Sequence, residues 1–179
     1  MYIFSIGHGN KTIEEFIAEL RSFDIAFLID VRTKPYSKWY PAYNQNMLKE
    51  ILAKHSIKYV YLGNVLGGLP NDTSCYVDGK VSYDILKTKP FFKEGLQRLI
   101  LAETKGINVA VMCSEGNPAE CHRTKVIGVE LQRTGISLRH IVGIGKEKSQ
   151  NQAIVEATNG NGLLNLFGEE ALTSRKQYV

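Results

Sequence analysis

Apolar positions along this 179-residue chain follow two alternating patterns. Short runs rich in β-branched and aromatic residues alternate with stretches in which apolar residues recur every three or four positions. Tyr2–Ile6 reads as a first strand, followed by the turn Gly7-His8-Gly9-Asn10. Thr12 opens a helix, with Glu15 placed to complete a capping box and Ile13, Phe16, Ile17 and Leu20 on one face. Ile25–Val31 is apolar except at Asp30, the pattern of a strand buried on both faces. Two prolines and four aromatics make 33–43 a loop. Asn44 or Asn46 then caps a helix carrying Met47, Leu48, Ile51 and Leu52.

Lys58–Leu62 is a third strand, and 63–89 is irregular. Within it, Tyr76–Val81 predicts a hairpin around Asp78-Gly79, which suits a type I′ turn. Pro90 opens a helix to Lys105 that Gly106 ends. Val109–Met112 is a fourth strand, a helix follows from Thr124 to Thr134, and Leu138–Val142 is a fifth strand. Beyond Gly143 the pattern weakens. Short helices over 152–157 and 162–172, or partial disorder, are the expectation there.

Strands alternating with helices predict an α/β fold: a single-domain three-layer α/β/α sandwich, its mostly parallel sheet having about five strands and a small hairpin insertion. The division expected is an α/β domain over 1–142 and a C-terminal extension over 143–179. In a parallel sheet the C-terminal strand ends share one edge. His8, Asp30 with Arg32, Gly67-Gly68, and Cys113 with Glu115 should therefore meet on one rim, far apart as they are in sequence.

Composition adds little to this. The net charge of +4 reads as a solvated basic surface with no arm of clustered cations. No apolar stretch is long enough to span a membrane, and the first residues do not read as a signal peptide. Three cysteines, an odd count, give no disulfide framework, so reduced thiols and a cytoplasmic location are expected. The oligomeric state cannot be read from the sequence.

Chemistry concentrates in Cys113-Ser114-Glu115-Gly116-Asn117-Pro118-Ala119-Glu120-Cys121-His122-Arg123, a strand-to-helix turn holding two thiols, carboxylates, an imidazole and a guanidinium. Cys113 reads as a small core residue, a thiolate nucleophile or a metal ligand; a thiolate needs a nearby cation or helix N-terminus to lower its pKa. Arg123 could bind an anion at the first helical turn beside His122, or pair with Asp30 or Glu115. His8 is a candidate base and Glu115 an acid/base or an orienter of His8 or His122. Asp30 is expected in a structural pair, leaving Arg32 as the better ligand residue. Tyr36, Trp39, Tyr40 and Tyr43 could stack a base, close as a lid, or fill a local cluster; Gly67 and Gly68 would allow close approach to a ligand.

Ser5-Ile6-Gly7-His8-Gly9-Asn10, Ile29-Asp30-Val31-Arg32, Pro41 with Tyr43-Asn44, Lys58–Leu62 with Leu66-Gly67-Gly68, and Met112-Cys113-Ser114-Glu115 with Cys121-His122-Arg123 resemble, in this order, the bacterial and archaeal domain-of-unknown-function family numbered 488. The resemblance covers residues 3–142 and departs at Gly9, where the family often has Ser. It implies which residues form the site and carries no activity. A weaker similarity to rhodanese-like domains, in Leu28–Arg32 and a cysteine directly after a strand, is one of topology alone, because Pro118 and Ala119 stand where their loop and the Cys-x5-Arg loop of cysteine phosphatases need other residues.

Together these residues predict an enzyme with a pocket for a phosphate-bearing ligand, a nucleotide or nucleic-acid component, with no cofactor. Cys113, His8 and Glu115 would be catalytic, and Arg32, Arg123, His122, Gly67, Gly68 and Trp39 would bind. The alternatives are a non-catalytic nucleotide or nucleic-acid binding module, and a domain holding zinc through Cys113, Cys121, His122 and His8.

Overall fold

The computed structural model describes residues 1–165, 168–169, 172–174 and 176–178. In chain order its strands are β1 (Tyr2–Gly7), β2 (Phe27–Asp30), β3 (Lys58–Tyr61), β4 (Tyr76–Val77), β5 (Lys80–Val81), β6 (Val109–Cys113), β7 (Ser137–Gly143), β8 (Lys146–Ser149), β9 (Leu164–Asn165) and β10 (Gly168–Glu169). Its α-helices are α1 (Ile13–Arg21), α2 (Gln45–Lys54), α3 (Gly63–Leu66), α4 (Tyr83–Leu86), α5 (Pro90–Thr104), α6 (Val129–Arg133) and α7 (Gln150–Ala157). The main sheet runs β3-β2-β6-β1-β7-β8, parallel except for β8. This is the expected three-layer α/β sandwich with its hairpin, widened by an antiparallel edge strand, β8, that the charged run Lys146-Glu147-Lys148 concealed.

Local signals carry over into local structure. Thr12 and Glu15 form the capping box of α1, and Pro90 opens α5. Asp78 and Gly79 both have positive φ, as a type I′ turn requires. Two expectations fail. Asn44 precedes α2 but does not cap it with its side chain, because its Oδ1 accepts from the Ser37 N–H (2.6 Å) instead. No helix fills 162–172: β9 pairs antiparallel with β10 after Gly162 takes a φ of +72°, while 166, 167, 170 and 171 lie outside the described residues.

The two faces of the sheet are covered differently. Phe16, Ile17 and Leu20 of α1 and Leu48 and Leu52 of α2 pack on one face with Ile6, Leu28 and Met112. Phe92, Leu96 and Leu99 of α5 and Leu131 of α6 pack on the other with Ile29, Val31 and Val111. Direction along the sheet explains the split. The chain steps from β1 to β2 to β3 one way, and from β3 to β6 to β7 the other way. Right-handed crossovers running in opposite directions must use opposite faces. After the adjacent strands β1 and β6, therefore, the chain leaves toward opposite faces. The crevice between two such departures is where ligands bind in α/β sheets.

Candidate functional site

A cavity of about 470 Å³ opens at that crevice, within the size range of small-molecule sites. His8 after β1, Arg32 after β2, and Cys113, Ser114 and Glu115 at the end of β6 reach it, joined by Glu120, Cys121 and His122. Gly68 and Leu69 follow α3, and Tyr36 and Tyr40 come from the aromatic loop. Ser174 and Tyr178 complete the wall from the C-terminal segment, which pairs with the hairpin through Ser174 N–H to the Val81 carbonyl and Tyr178 N–H to the Gly79 carbonyl. The rim expected from strand ends is thus formed by His8, Arg32, Gly68, Cys113 and Glu115.

The turn after β6 folds unlike a plain helix start. Pro118–Glu120 is a 3-10 turn, Cys121 is extended, and Arg123–Gly128 is a π-helix that leads into α6. Cys121 and His122 are thereby swung toward Cys113. The Nδ1 of His122 lies 3.7 Å from Cys113 Sγ and 3.6 Å from Cys121 Sγ. The three donor atoms all fall within 4.8 Å of one another, and all three residues are buried. His122 Nε2 is buried without a hydrogen-bond partner among the described residues. Gly68 packs on the imidazole so closely that a Cβ would sit 2.9 Å from Nδ1.

Arg123 is turned inward, against the expectation that it would hold an anion. The residue is 1% exposed and does not line the cavity. Nε donates to Cys121 Sγ (3.2 Å), Nη1 to Ser5 Oγ (3.1 Å) and Nη2 to the Glu115 carbonyl (2.7 Å). Ser5 Oγ in turn lies 2.6 Å from His140 Nδ1, and His140 Nε2 lies 2.9 Å from Gln150 Oε1. The Gln150 amide donates to the Thr124 carbonyl, which identifies its other end as the acceptor. The helix itself begins at His122 rather than near Glu120, since the 3-10 turn and the extended Cys121 come before it.

The two thiols are unequal, and the order is the reverse of the one expected. The hydrogen bond between the two thiols, reinforced by burial, pushes the Cys113 thiol well above the ordinary range. Burial also works to raise Cys121, but the hydrogen bond from Cys113 and the proximity of Arg123 and His122 outweigh it, holding Cys121 well below that range. The thiol held low is therefore Cys121 and the one held high is Cys113. The sequence carries a signal for this, as Arg123 stands two residues after Cys121.

His8 is neutral in this setting. Burial, then Arg32, pushes its pKa down to about 4. Its Nδ1 faces the Gly9 carbonyl at 3.0 Å, an acceptor, so Nδ1 carries the proton. Nε2 is left as a hydrogen-bond acceptor with no partner among the described residues. The ring stacks on Tyr43 (4.2 Å, 17°), which is buried core rather than a member of the loop lid. Asp30 is the structural partner of Arg32: the guanidinium donates to both carboxylate oxygens and to the Tyr43 carbonyl (2.7 Å). Arg32 Nη1 makes no hydrogen bond among the described residues and so remains available on a residue that lines the cavity.

Two further candidates are not brought to the site. Trp39 is 77% exposed and lies off the cavity, with Lys38 Nζ 4.9 Å from its ring centroid. Gly67 does not line the cavity, and a Cβ there would collide with Thr33 and the Gly63 carbonyl, so its role is close packing. His8 does not join the Cys113–Cys121–His122 group. No described helix is long and apolar enough to cross a membrane.

Comparison with known proteins places the chain in a family. The sequence profile of the family described as "Domain of unknown function DUF488" matches residues 12–130, more than half of the chain. That stretch includes Arg32, Cys113, Glu115, Cys121 and His122 and leaves His8 outside. No curated protein and no solved structure matches.

Proposed function

The chain belongs to the DUF488 family, and on that premise we propose that it is an enzyme acting on a small phosphate-bearing molecule of nucleotide size. The reactive centre is the Cys113–Cys121–His122 cluster. The carrying observation is convergence: two thiols, two imidazoles and an arginine from three strand ends and their loops meet on one cavity at the crossing point of the sheet. Packing alone has no need for such a set, whereas catalysis does.

Within this reading each wall has a part. Arg32 offers Nη1 to a phosphate oxygen, and Lys34 beside it adds positive charge. The Tyr36 and Tyr40 rings offer faces to a base. His8 presents a neutral imidazole whose free Nε2 accepts a proton from water or from a substrate hydroxyl. The cluster supplies the nucleophile or the electrophile.

The test is turnover of a panel of nucleotides and phosphate monoesters, with calorimetric binding of the same compounds. Arg32→Gln should weaken binding about tenfold or more, the loss of one charge-assisted hydrogen bond. Cys121→Ser should abolish turnover while binding persists. Failure of every compound to bind, or binding indifferent to Arg32, refutes the phosphate assignment. A second reading, a binding module for single-stranded nucleic acid, draws on the exposed Trp39 and Tyr36 with Lys34 and Lys38 beside them in sequence. It requires oligonucleotide affinity that falls steeply with salt and survives Cys121→Ser.

A further inference from the structure

We infer that Cys113, Cys121 and His122 form a zinc site with its fourth coordination position open to the cavity. This rests on the reading of the cavity as the functional site and specifies what its reactive centre holds.

The argument begins with distances. Zinc bonds sulfur at about 2.3 Å and imidazole nitrogen at about 2.0–2.1 Å, so at tetrahedral angles sulfur and nitrogen lie about 3.6 Å apart. His122 Nδ1 stands 3.7 Å from one sulfur and 3.6 Å from the other. Two edges of the coordination polyhedron are therefore already drawn by side chains held in place without the ion, and all three donor atoms lie within 4.8 Å of one another. Ligand type agrees: two thiolates and an imidazole in a tetrahedral frame select zinc among common divalent ions. Charge agrees too, since two thiolates and a neutral imidazole balance a dication, and any thiol protons displaced leave to solvent.

Outer contacts are in place around the two sulfurs. Cys121 Sγ accepts from Arg123 Nε and, at 3.5 Å, from the Arg123 backbone N–H. Ser114 Oγ lies 3.9 Å from Cys113 Sγ. Donors of this kind fix thiolate ligands in metal sites. The imidazole is held on its Nδ1 side alone, because Nε2 meets no partner among the described residues. Gly68 keeps the space over Nδ1 clear, where any side chain would press on the ring. Three protein ligands with a fourth position on an open cavity are the arrangement of a catalytic rather than a structural zinc. When bound, the ion polarises an oxygen placed at that position.

The experiment is metal analysis of protein purified without a metal-affinity tag, followed by chelation and titration of the stripped protein with cobalt(II). About one zinc per chain is expected, dropping to about a tenth or less in Cys121→Ser and His122→Ala, with Cys75→Ser unchanged. Cobalt should give the visible bands of tetrahedral coordination and a sulfur-to-cobalt charge-transfer band that shrinks in Cys113→Ser. If a variant fails to fold, the wild-type spectrum still decides, since octahedral cobalt bands without charge transfer overturn the site. Metal-free protein that takes up neither ion overturns the zinc assignment. If that protein still turns over a phosphate compound in a Cys121-dependent way, the enzyme reading survives. A zinc-loaded chain that binds no phosphate compound leaves the metal standing and removes the substrate class.

Discussion

Cys113 and Cys121 are the same side chain made unlike by neighbours. Cys113 meets a thiol partner and burial, whereas Cys121 has Arg123 Nε at 3.2 Å and receives the Cys113 hydrogen bond. In chelator-stripped protein, iodoacetamide should therefore label Cys121 first, with a titration well below the about 8.5 of a free cysteine. Cys113→Ser should leave Cys121 reactive, and Cys121→Ser should remove the low-pH phase. Peptide mapping that places the first label on Cys113 would reverse the assignment. Residue type and spacing made the cluster legible but not its polarity. Which sulfur carries the charge depends on a π-helical turn and an arginine folded inward, and neither leaves a mark in the hydrophobic pattern. Tyr43 takes the third of its three expected roles, filling a local cluster, and the sequence does not separate it from Tyr36 or Tyr40. A tyrosine in a Pro-rich aromatic loop looks like its neighbours until its ring is found beneath His8.

At the level of elements, the site depends on two strand ends lying closer than side chains permit. A Cβ on Gly7 would collide with the Glu115 carbonyl and sit 2.8 Å from Arg123 Nη2. His8 N–H donates to the Cys113 carbonyl and Gly9 N–H to the Ser114 carbonyl, extending the β1–β6 ladder past the strands. Gly7→Ala should cost roughly 1–3 kcal/mol, the usual penalty of overpacking. It should also displace Arg123 and so raise the Cys121 titration, while Gly106→Ala, in open space at a helix end, should affect only stability. Urea unfolding and alkylation rates measured on both variants separate the two effects; an unshifted Cys121 in Gly7→Ala would refute the link. The strands themselves were legible because their apolar runs are short and bounded. The edge strand β8 was not, since a solvent-facing strand of alternating charges carries no hydrophobic signal.

For the whole molecule, pH acts through two buried neutral histidines. Burial, aided by Arg32 for His8 and by Arg123 for His140, pushes both down to about 4, against 6.5 in an unfolded chain. Between those values the unfolded state binds more protons, so stability is full above about pH 6.5 and erodes as pH falls toward 4. Each group contributes at most about 1.4 kcal/mol per pH unit in that window. The urea midpoint should decline from pH 6.5 to 5, and His140→Gln, which retains polar contacts to Ser5 and Gln150, should shallow the slope. A midpoint flat over that range would contradict the buried neutral state. The sequence announced the layers of the molecule, yet it could not announce that Ser174 and Tyr178 return to wall the cavity, because that contact joins the chain end to a hairpin nearly a hundred positions earlier.

The pairing of β1 with β6 has a consequence in time. Phe4 to Gly7 register against Ala110 to Cys113, so β1 has no such neighbour until about a hundred further residues have followed. Contacts of that sequence separation form slowly. Before they form, Arg123 has neither Ser5 nor a fixed Glu115 carbonyl to hold it, and Cys121 is an ordinary thiol. The acidity of one cysteine is thus a clock for the central strand pair: during refolding, a brief alkylation pulse at mildly acidic pH would mark Cys121 only in molecules whose first strand has already found its place.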